Sequence, residues 1–410
     1  MKSAGRKTTD KIQINETQMW NFIYLMQLPL GMGPGEAKIH DVDWELMYRL
    51  ARKHNVAALG YAAVDGYTGQ IPVPEALKKK WKRDSAQSTM QCLYQQAAQE
   101  ELEESMSQEK IPAIFLKGAV LRKLYPSPEL RSMADIDLLI REEDAEKAAR
   151  LMNSLQYQVH SRGSRNEDVY CREPKVTVEI HRQLFWKEQA WNEYFRTVWD
   201  RATEISYSIY IKSMAVQDFY IHLLGHLIHH MENGGLGIKA FLDLILFYEK
   251  YKQQLCGAEM KKLLEKFRFT EFENNLRKLL EDWKNGEQQN SLTAEWSEYI
   301  VKCGAYGNAE NFIIRNTAMN KNITRGSKKQ KIHYTLRRLF PTYEEMCNMY
   351  PKAAKGRYTY PWFCILRIWK NGIMRHKIIS RELHTIQQMD AAKIEKLNEL
   401  YKKTGMPERK

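Results

Sequence analysis

Two aspartates separated by a single residue form the strongest chemical signal in the sequence. The segment ADIDLLI predicts a buried strand, and the alternation of side chains along a strand places Asp135 and Asp137 on the same face. Neighbouring carboxylates repel each other unless a cation lies between them. Hard divalent cations prefer oxygen ligands of this kind, so the pair predicts a metal site.

A third carboxylate lies in a later predicted strand, KVTVEIHRQLF, where Glu179 and His181 share the face opposite to Val178. If this strand lies beside the first one, Glu179 completes a site for two magnesium ions. Two such ions stabilise both the attacking and the leaving oxygen of an in-line displacement at phosphorus. We therefore predict Asp135, Asp137 and Glu179 as metal ligands and catalytic residues.

A basic turn with a glycine precedes the acids. The segment Lys117-Gly118-Ala119 predicts the start of a short helix, where the glycine lets backbone amides approach a phosphate and the helix dipole favours negative charge. Lys117 and Arg131 would add positive charge beside a triphosphate. His181 is expected to contact phosphate or to tune Glu179, and a purely structural histidine is the alternative. The predicted nucleotide-binding set is Lys117, Gly118, Ala119, Arg131 and His181.

Each of these motifs is weak when taken alone. Exposed strand acids without a function are the alternative to a D-x-D metal site, and a Lys-Gly pair is less specific still. Their order along the chain is more specific. A glycine at a helix start is followed by a strand with paired acids and then by a strand with a third acid.

The elements that must position these residues predict an α+β fold, a small mixed-sheet module embedded in a mainly helical chain. Helix-like apolar spacing marks residues 16–30 and 41–66, and a polar helix is predicted over 76–109. Short apolar, β-branched segments begin at residue 111, and the helical pattern returns from 213. The predicted division is an N-terminal helical segment over 1–110, an α/β module over 111–205, a helical domain over 206–300 and a basic, helical C-terminal segment over 301–410.

Composition and charge bound the possible partners. The 410 residues are 43% hydrophobic, enough for a packed core, and carry a formal net charge of +13. Such a charge attracts nucleotide, nucleic acid or an anionic membrane surface, or is a solvated surface without a partner. Residues 321–338 hold seven Lys or Arg and no acid, but Tyr334 is their one aromatic residue, so nucleic-acid binding is possible but unsupported.

Location is predicted from what the sequence contains. It shows no apolar run close to the ~18 residues of a membrane span and no signal-peptide pattern at its start. Its cysteines form no C-x-x-C pair, which is typical of reduced thiols. We therefore expect a cytoplasmic protein without a membrane partner. The six cysteines are Cys92, Cys171, Cys256, Cys303, Cys347 and Cys364.

Four histidines and one further acid lie in predicted helices downstream. The histidines have partial i, i+4 spacing, which zinc can use, but neither an H-E-x-x-H motif nor a nearby cysteine supports zinc. Packing or substrate lining is the preferred interpretation, with His226 nearest the cleft. Asp243, inside an apolar run, needs a partner, and a histidine of the preceding helix is expected. The histidines are His222, His226, His229 and His230.

The central segment LKGAVLRKLYPSPELRSMADIDLLIREEDAEKA, followed by VEIH, resembles the uncharacterised nucleotidyltransferases of the polymerase-β-like superfamily. Further similarity lies in HLLGHLIHH, GAYGN, RRLFPTYEEM and YPWFCILR, so the resemblance covers most of residues 41–370. It implies metal-dependent transfer of a nucleoside monophosphate from an NTP to an acceptor hydroxyl, with release of pyrophosphate. By position, Asp135 and Asp137 resemble the metal ligands, Glu179 the acid that activates the acceptor, and Gly118 the phosphate-contacting glycine.

One departure from the superfamily pattern leaves alternatives open. The turn usually reads Gly-Ser or Gly-Gly, whereas this sequence has Gly118-Ala119, which lacks the serine hydroxyl. A nucleotide-sensing or partner-binding protein that has lost catalysis is therefore the main alternative to an enzyme. Nucleic-acid modification, suggested by the charge, is a third.

Overall fold

A computed structural model shows where these segments lie. It describes residues 13–164, 167–185, 191–205, 207–287, 290–308, 310–312, 336, 340–343, 346–347, 356–374 and 391–407.

The N-terminal part of the chain is helical. Asn15 caps the first helix by accepting a hydrogen bond of 2.8 Å from the amide of Gln18, and Asp43 caps the second in the same way through Leu46. Trp81 of the long fourth helix is fully buried against Gly60 of the third, where a Cβ would come within 2.5 Å of the indole. The helices are α1 (Glu16–Gln27), α2 (Trp44–Lys53), α3 (Ala57–Asp65) and α4 (Glu75–Gln108).

A seven-stranded mixed sheet follows. Its strand order is β3-β4-β5-β2-β1-β7-β6. Strand β2 runs parallel to β5 and antiparallel to β1, and β1 runs parallel to β7. The strands are β1 (Ala113–Phe115), β2 (Ile136–Ile140), β3 (Gln158–Ser164), β4 (Glu167–Arg172), β5 (Val176–His181), β6 (Thr203–Ile205) and β7 (Ser208–Ser213).

Short helices connect these strands, and longer ones complete the fold. Within and beside the sheet are α5 (Gly118–Leu121), α6 (Ala145–Ser154), α7 (Asn192–Phe195) and α8 (Val198–Arg201). Those after the sheet are α9 (Val216–Glu232), α10 (Ile238–Leu255), α11 (Ala258–Phe267), α12 (Thr270–Asn285), α13 (Ser291–Cys303), α14 (Tyr360–Met374) and α15 (Ala391–Lys403).

The two faces of the sheet enter different hydrophobic cores. Ile136 and Leu138 of β2 belong to a smaller core together with residues of α4 and α6. Leu139 belongs instead to the larger core, which α9, α10 and the N-terminal helices fill. Because side chains alternate along β2, Asp135 and Asp137 share the side of Leu139, the side that faces the helices.

The observed architecture confirms the predicted α+β fold. The polar helix predicted over 76–109 is α4, and the first of the short apolar segments predicted from residue 111 forms only the three residues of β1. Strands β6 and β7 were not predicted, because their segment is short and mostly exposed. The four-part division of the chain stays a prediction. Apart from Leu336, the basic run 321–338 lies outside the described residues. In the part of the chain that the structure describes, no helix has both the length and the apolar character needed to cross a membrane.

Candidate active site

The parallel pairing of β2 with β5 brings the predicted acids together. Asp137 lies directly opposite Glu179, and Asp135 precedes it by two residues on the same face. Within the described residues, one group of side chains has metal-ligand chemistry and spacing: Asp137, Glu179 and His181, whose ligand atoms all lie within 4.8 Å of one another. This group differs from the predicted ligand set in one member, since His181 stands where Asp135 was expected.

The carboxylate of Asp137 is the best-anchored acid of the three. Its Oδ1 accepts a hydrogen bond of 2.7 Å from Nζ of Lys117 and one of 2.9 Å from Nε2 of His181. Burial alone would raise the pKa of Asp137, but Lys117 and His181 outweigh it and hold that pKa well below its usual range. Asp137 is therefore ionised at neutral pH.

The environment of the other two acids, Asp135 and Glu179, disfavours their ionised forms. Burial, followed by the negative charge of Asp137, raises the pKa of Asp135 to about 6. Burial, followed by the charge of Asp135, raises the pKa of Glu179 to about 7. Three carboxylates thus lie close together, and the positive charge of Lys117 balances their negative charge only in part. Such a donor set, rich in carboxylate oxygen and poor in compensating charge, fits a hard divalent cation such as Mg²⁺.

Lys117 reaches this cluster from a strained turn. Its backbone has φ of 41° and ψ of −114°, a region that costs a residue with a side chain roughly 1–3 kcal/mol. The preceding amide, of Leu116, donates a hydrogen bond of 3.0 Å to the carbonyl of Asp137 and so fixes the turn beside the acids. Burial lowers the pKa of Lys117, but Asp137 outweighs this effect and keeps the ammonium charged.

Gly118 and Ala119 begin helix α5, which is four residues long, so its dipole is small. A Cβ on Gly118 would collide with the guanidinium of Arg131 and the side chain of Met133, which occupy the space beside it. Ala119 is buried in the smaller core. The departure from Gly-Ser therefore has a packing reason in this chain, because a serine hydroxyl at 119 would meet apolar neighbours.

Arg131 is already neutralised in the structure. Its Nε and one terminal nitrogen donate hydrogen bonds of 3.1 and 2.8 Å to the two carboxylate oxygens of Asp243. Tyr125 donates a further hydrogen bond of 2.8 Å to the same carboxylate. The expectation that a histidine of α9 pairs with Asp243 is wrong, since this buried acid takes an arginine and a tyrosine instead.

Three histidines of α9, His222, His226 and His230, lie close enough to Lys117 for its charge to act on them. Nε2 of His226 and Nε2 of His230 lie 3.0 Å apart, so one ring donates a hydrogen bond and the other accepts it. Neither ring nitrogen of the buried His222 has a hydrogen-bond partner among the described residues. Burial lowers the pKa of His222 to about 3 and that of His230 to about 4, so both rings are neutral. Among the described residues these histidines form no group with metal-ligand spacing.

Lys239 is a site residue that the sequence-based prediction missed. It lies in the first turn of α10, and its Nζ donates a hydrogen bond of 2.9 Å to the carbonyl of Ser132, three residues before Asp135. Burial, followed by the charge of Arg131, lowers the pKa of Lys239 to about 8, and its charge acts in turn on Asp135. A single lysine within the apolar segment GIKAFLDLILFY was the signal available in the sequence.

Comparison with known proteins identifies the family. The model of a family described as "uncharacterised nucleotidyltransferase" matches residues 40–285. That match covers more than half of the chain and includes the whole acidic site, so the protein belongs to this nucleotidyltransferase family. No curated protein and no solved structure matches the chain.

Proposed function

We propose that this protein is a metal-dependent enzyme that transfers a nucleoside monophosphate from an NTP to an acceptor hydroxyl and releases pyrophosphate. The observation that carries the proposal is the register of β2 and β5, which sets Asp137 opposite Glu179 with Asp135 on the same face. Family membership supports the same reaction class.

In this proposal Asp135, Asp137 and Glu179 hold two Mg²⁺ ions. When bound, the ions would supply charge stabilisation to the attacking and leaving oxygens. His181 donates to Asp137 and so orients a carboxylate that would bind the metal.

The basic residues bind the triphosphate. Lys117 forms an ion pair with Asp137. Once bound cations neutralise the acids, its ammonium can bind phosphate oxygens instead. Lys239 offers a buried ammonium with three donors, one of which reaches Ser132. Arg131 does not contact phosphate in this scheme; it holds Asp243 and supports Gly118.

The acceptor hydroxyl loses its proton as it attacks the α-phosphorus. A bond forms between the acceptor oxygen and that phosphorus, and the bond from phosphorus to the pyrophosphate oxygen breaks. Glu179 accepts the proton, because its carboxylate lies opposite Asp137 and is about a quarter exposed. His222 and His230 of α9 are neutral and add no charge to the site.

The test is turnover of labelled NTPs with Mg²⁺ across a panel of hydroxyl acceptors. Asp135→Asn combined with Asp137→Asn should abolish pyrophosphate release. The matched control is Glu142→Gln with Glu143→Gln, which removes two exposed acids just beyond β2 and should leave turnover unchanged. Pyrophosphate release that survives in the aspartate variant contradicts the proposal. Mg²⁺-dependent NTP binding without turnover on any acceptor would favour the nucleotide-sensing alternative.

A further inference from the structure

Helix α14 has two apolar sides, and other described residues pack on one of them. Its inner side packs on a preceding segment: Cys364 and Met346 are both buried, with Tyr360 and Phe363 against them. The hydroxyl of Tyr360 donates a hydrogen bond of 2.6 Å to the carbonyl of Pro341.

The outer face of α14 is apolar and exposed. It consists of Trp362, Ile365, Leu366 and Trp369, whose spacing of three, four and seven residues places them in one stripe. The two tryptophans are each 66% exposed and Ile365 is 61% exposed. A contiguous stripe of large apolar side chains on a surface marks an interaction site.

The charge of the surrounding sequence indicates the partner. Residues 311–381 contain sixteen Lys or Arg and two acids, a net charge of +14, against +13 for the whole chain. The rest of the sequence is therefore close to neutral, and the basic residues are concentrated in the segment that contains α14. A partner that is anionic at its surface and apolar beneath it would complement both the charge of this segment and the outer face.

We propose that α14 docks on an anionic phospholipid surface, with its outer face in the headgroup and upper acyl region. Tryptophan and aliphatic side chains on one face, with Lys and Arg nearby, are typical of interfacial helices. The fifteen residues of α14 span roughly 22 Å, less than the ~30 Å of a bilayer core, so the helix lies in the plane of the surface. Ile365 and Leu366 disfavour nucleic acid, whose bases stack on aromatic rings and gain little from aliphatic side chains.

The experiment is co-sedimentation of the full chain with vesicles of phosphatidylcholine, with and without phosphatidylserine. Binding is expected only when phosphatidylserine is present, and it should weaken as salt increases. Trp362→Ser combined with Trp369→Ser should reduce partitioning by at least about tenfold. Ile365→Ser should reduce it less. Ile209→Ser is the matched control, because Ile209 of β7 is 60% exposed and lies outside this face.

Three results would overturn the inference. One is equal binding to neutral and anionic vesicles. Another is anionic binding that the tryptophan and Ile365 variants leave unchanged. The third is tighter binding to single-stranded RNA than to vesicles, with no effect of Ile365→Ser. Circular dichroism melting of each variant tests whether the chain is folded. If the double tryptophan variant unfolds, vesicle binding by Ile365→Ser is compared with vesicle binding by Ile209→Ser instead. NTP turnover without vesicles is not expected to change, so this test is independent of the proposed function.

Discussion

Nζ of Lys117 lies 2.7 Å from Oδ1 of Asp137, and this ion pair divides the acids of the site into two kinds. Asp137 has a cation and a histidine as hydrogen-bond partners. Asp135 has no cation within 4.0 Å among the described residues, and its pKa is raised to about 6. The carboxylate of Asp137 therefore stabilises the metal-free fold, and that of Asp135 destabilises it.

Asparagine substitutions of the two aspartates should change stability in opposite directions. At neutral pH and without metal, Asp135→Asn should raise the free energy of unfolding by about 1–3 kcal/mol, because it removes a desolvated charge beside another carboxylate. Asp137→Asn should lower it by about 2–4 kcal/mol, because it leaves the Lys117 ammonium without its partner. Urea unfolding in EDTA measures both. Equal losses in the two variants would mean that Asp135 has a structural role.

Lys239→Met should weaken the binding of a nonhydrolysable NTP by about 10–100-fold, because a charge-assisted hydrogen bond to phosphate is lost. Lys252→Met, at an exposed position of the same helix, is the control and should have no effect. Mg²⁺ is present throughout, and isothermal titration calorimetry gives the affinities. Unchanged affinity in Lys239→Met would show that this lysine does not bind the nucleotide. The proposed roles of the acids would be unaffected.

The same lysine predicts a pH dependence of NTP binding. Since the pKa of Lys239 is lowered to about 8, its ammonium is charged below pH 8 and becomes neutral above it. Affinity should fall above about pH 8 in the wild-type protein. The profile of Lys239→Met should be flat over that range. A fall of the same size in the variant would assign the titration to another group.

His54 should make the fold sensitive to acid. Its Nε2 donates a hydrogen bond of 3.0 Å to the carbonyl of Val301, and its Nδ1 accepts one of 3.0 Å from the amide of Ile238. Burial lowers the pKa of His54 to about 3, so between about pH 3 and 6.5 the unfolded chain binds a proton that the folded chain excludes. Its stabilising contribution is complete above pH 6.5 and is lost as the pH falls.

Chemical unfolding at several pH values tests this assignment. His54→Gln should reduce the slope of unfolding free energy against pH, between about pH 4 and 6, by up to about 1.4 kcal/mol per unit. The other neutral histidines, His222 and His230, keep part of the slope in that variant. An unchanged slope would show that His54 titrates normally in the folded protein.

Ala119→Ser, which restores the commoner Gly-Ser turn, should not improve NTP binding. The alanine is buried in the smaller core, so a hydroxyl there lacks a partner and should cost about 1–3 kcal/mol of stability. Ala134→Ser, at an exposed position, is the control and should be nearly neutral. Tighter NTP binding by Ala119→Ser would show that position 119 faces the phosphates.

The sequence predicts those parts of the site that depend on local periodicity. Alternation along two strands was enough to set Asp135 and Asp137 on one face and Glu179 on the matching face of another strand. The mixed sheet and the long polar helix were predictable for the same reason. That the two strands are neighbours was an expectation, and the parallel register that sets Asp137 opposite Glu179 is known only from the structure.

The remaining features depend on contacts between distant segments. Arg131 and Asp243 are 112 residues apart in the chain, and no local pattern pairs them. Lys239 is 107 residues from Ser132, and its role follows from the way α10 packs beside the loop that leads to Asp135. Tertiary packing also decides why residue 118 is a glycine, because the space beside it is filled by Arg131 and Met133.

We propose that the acidic cluster binds metal and nucleotide together. Calorimetric titration of a nonhydrolysable NTP, with and without Mg²⁺, tests it most directly on the wild-type protein, on Asp135→Asn/Asp137→Asn and on the Glu142→Gln/Glu143→Gln control. Mg²⁺-dependent binding is expected in the wild type and the control, and none in the aspartate variant. Equal NTP affinity in all three proteins, or binding that does not depend on Mg²⁺, would contradict this proposal.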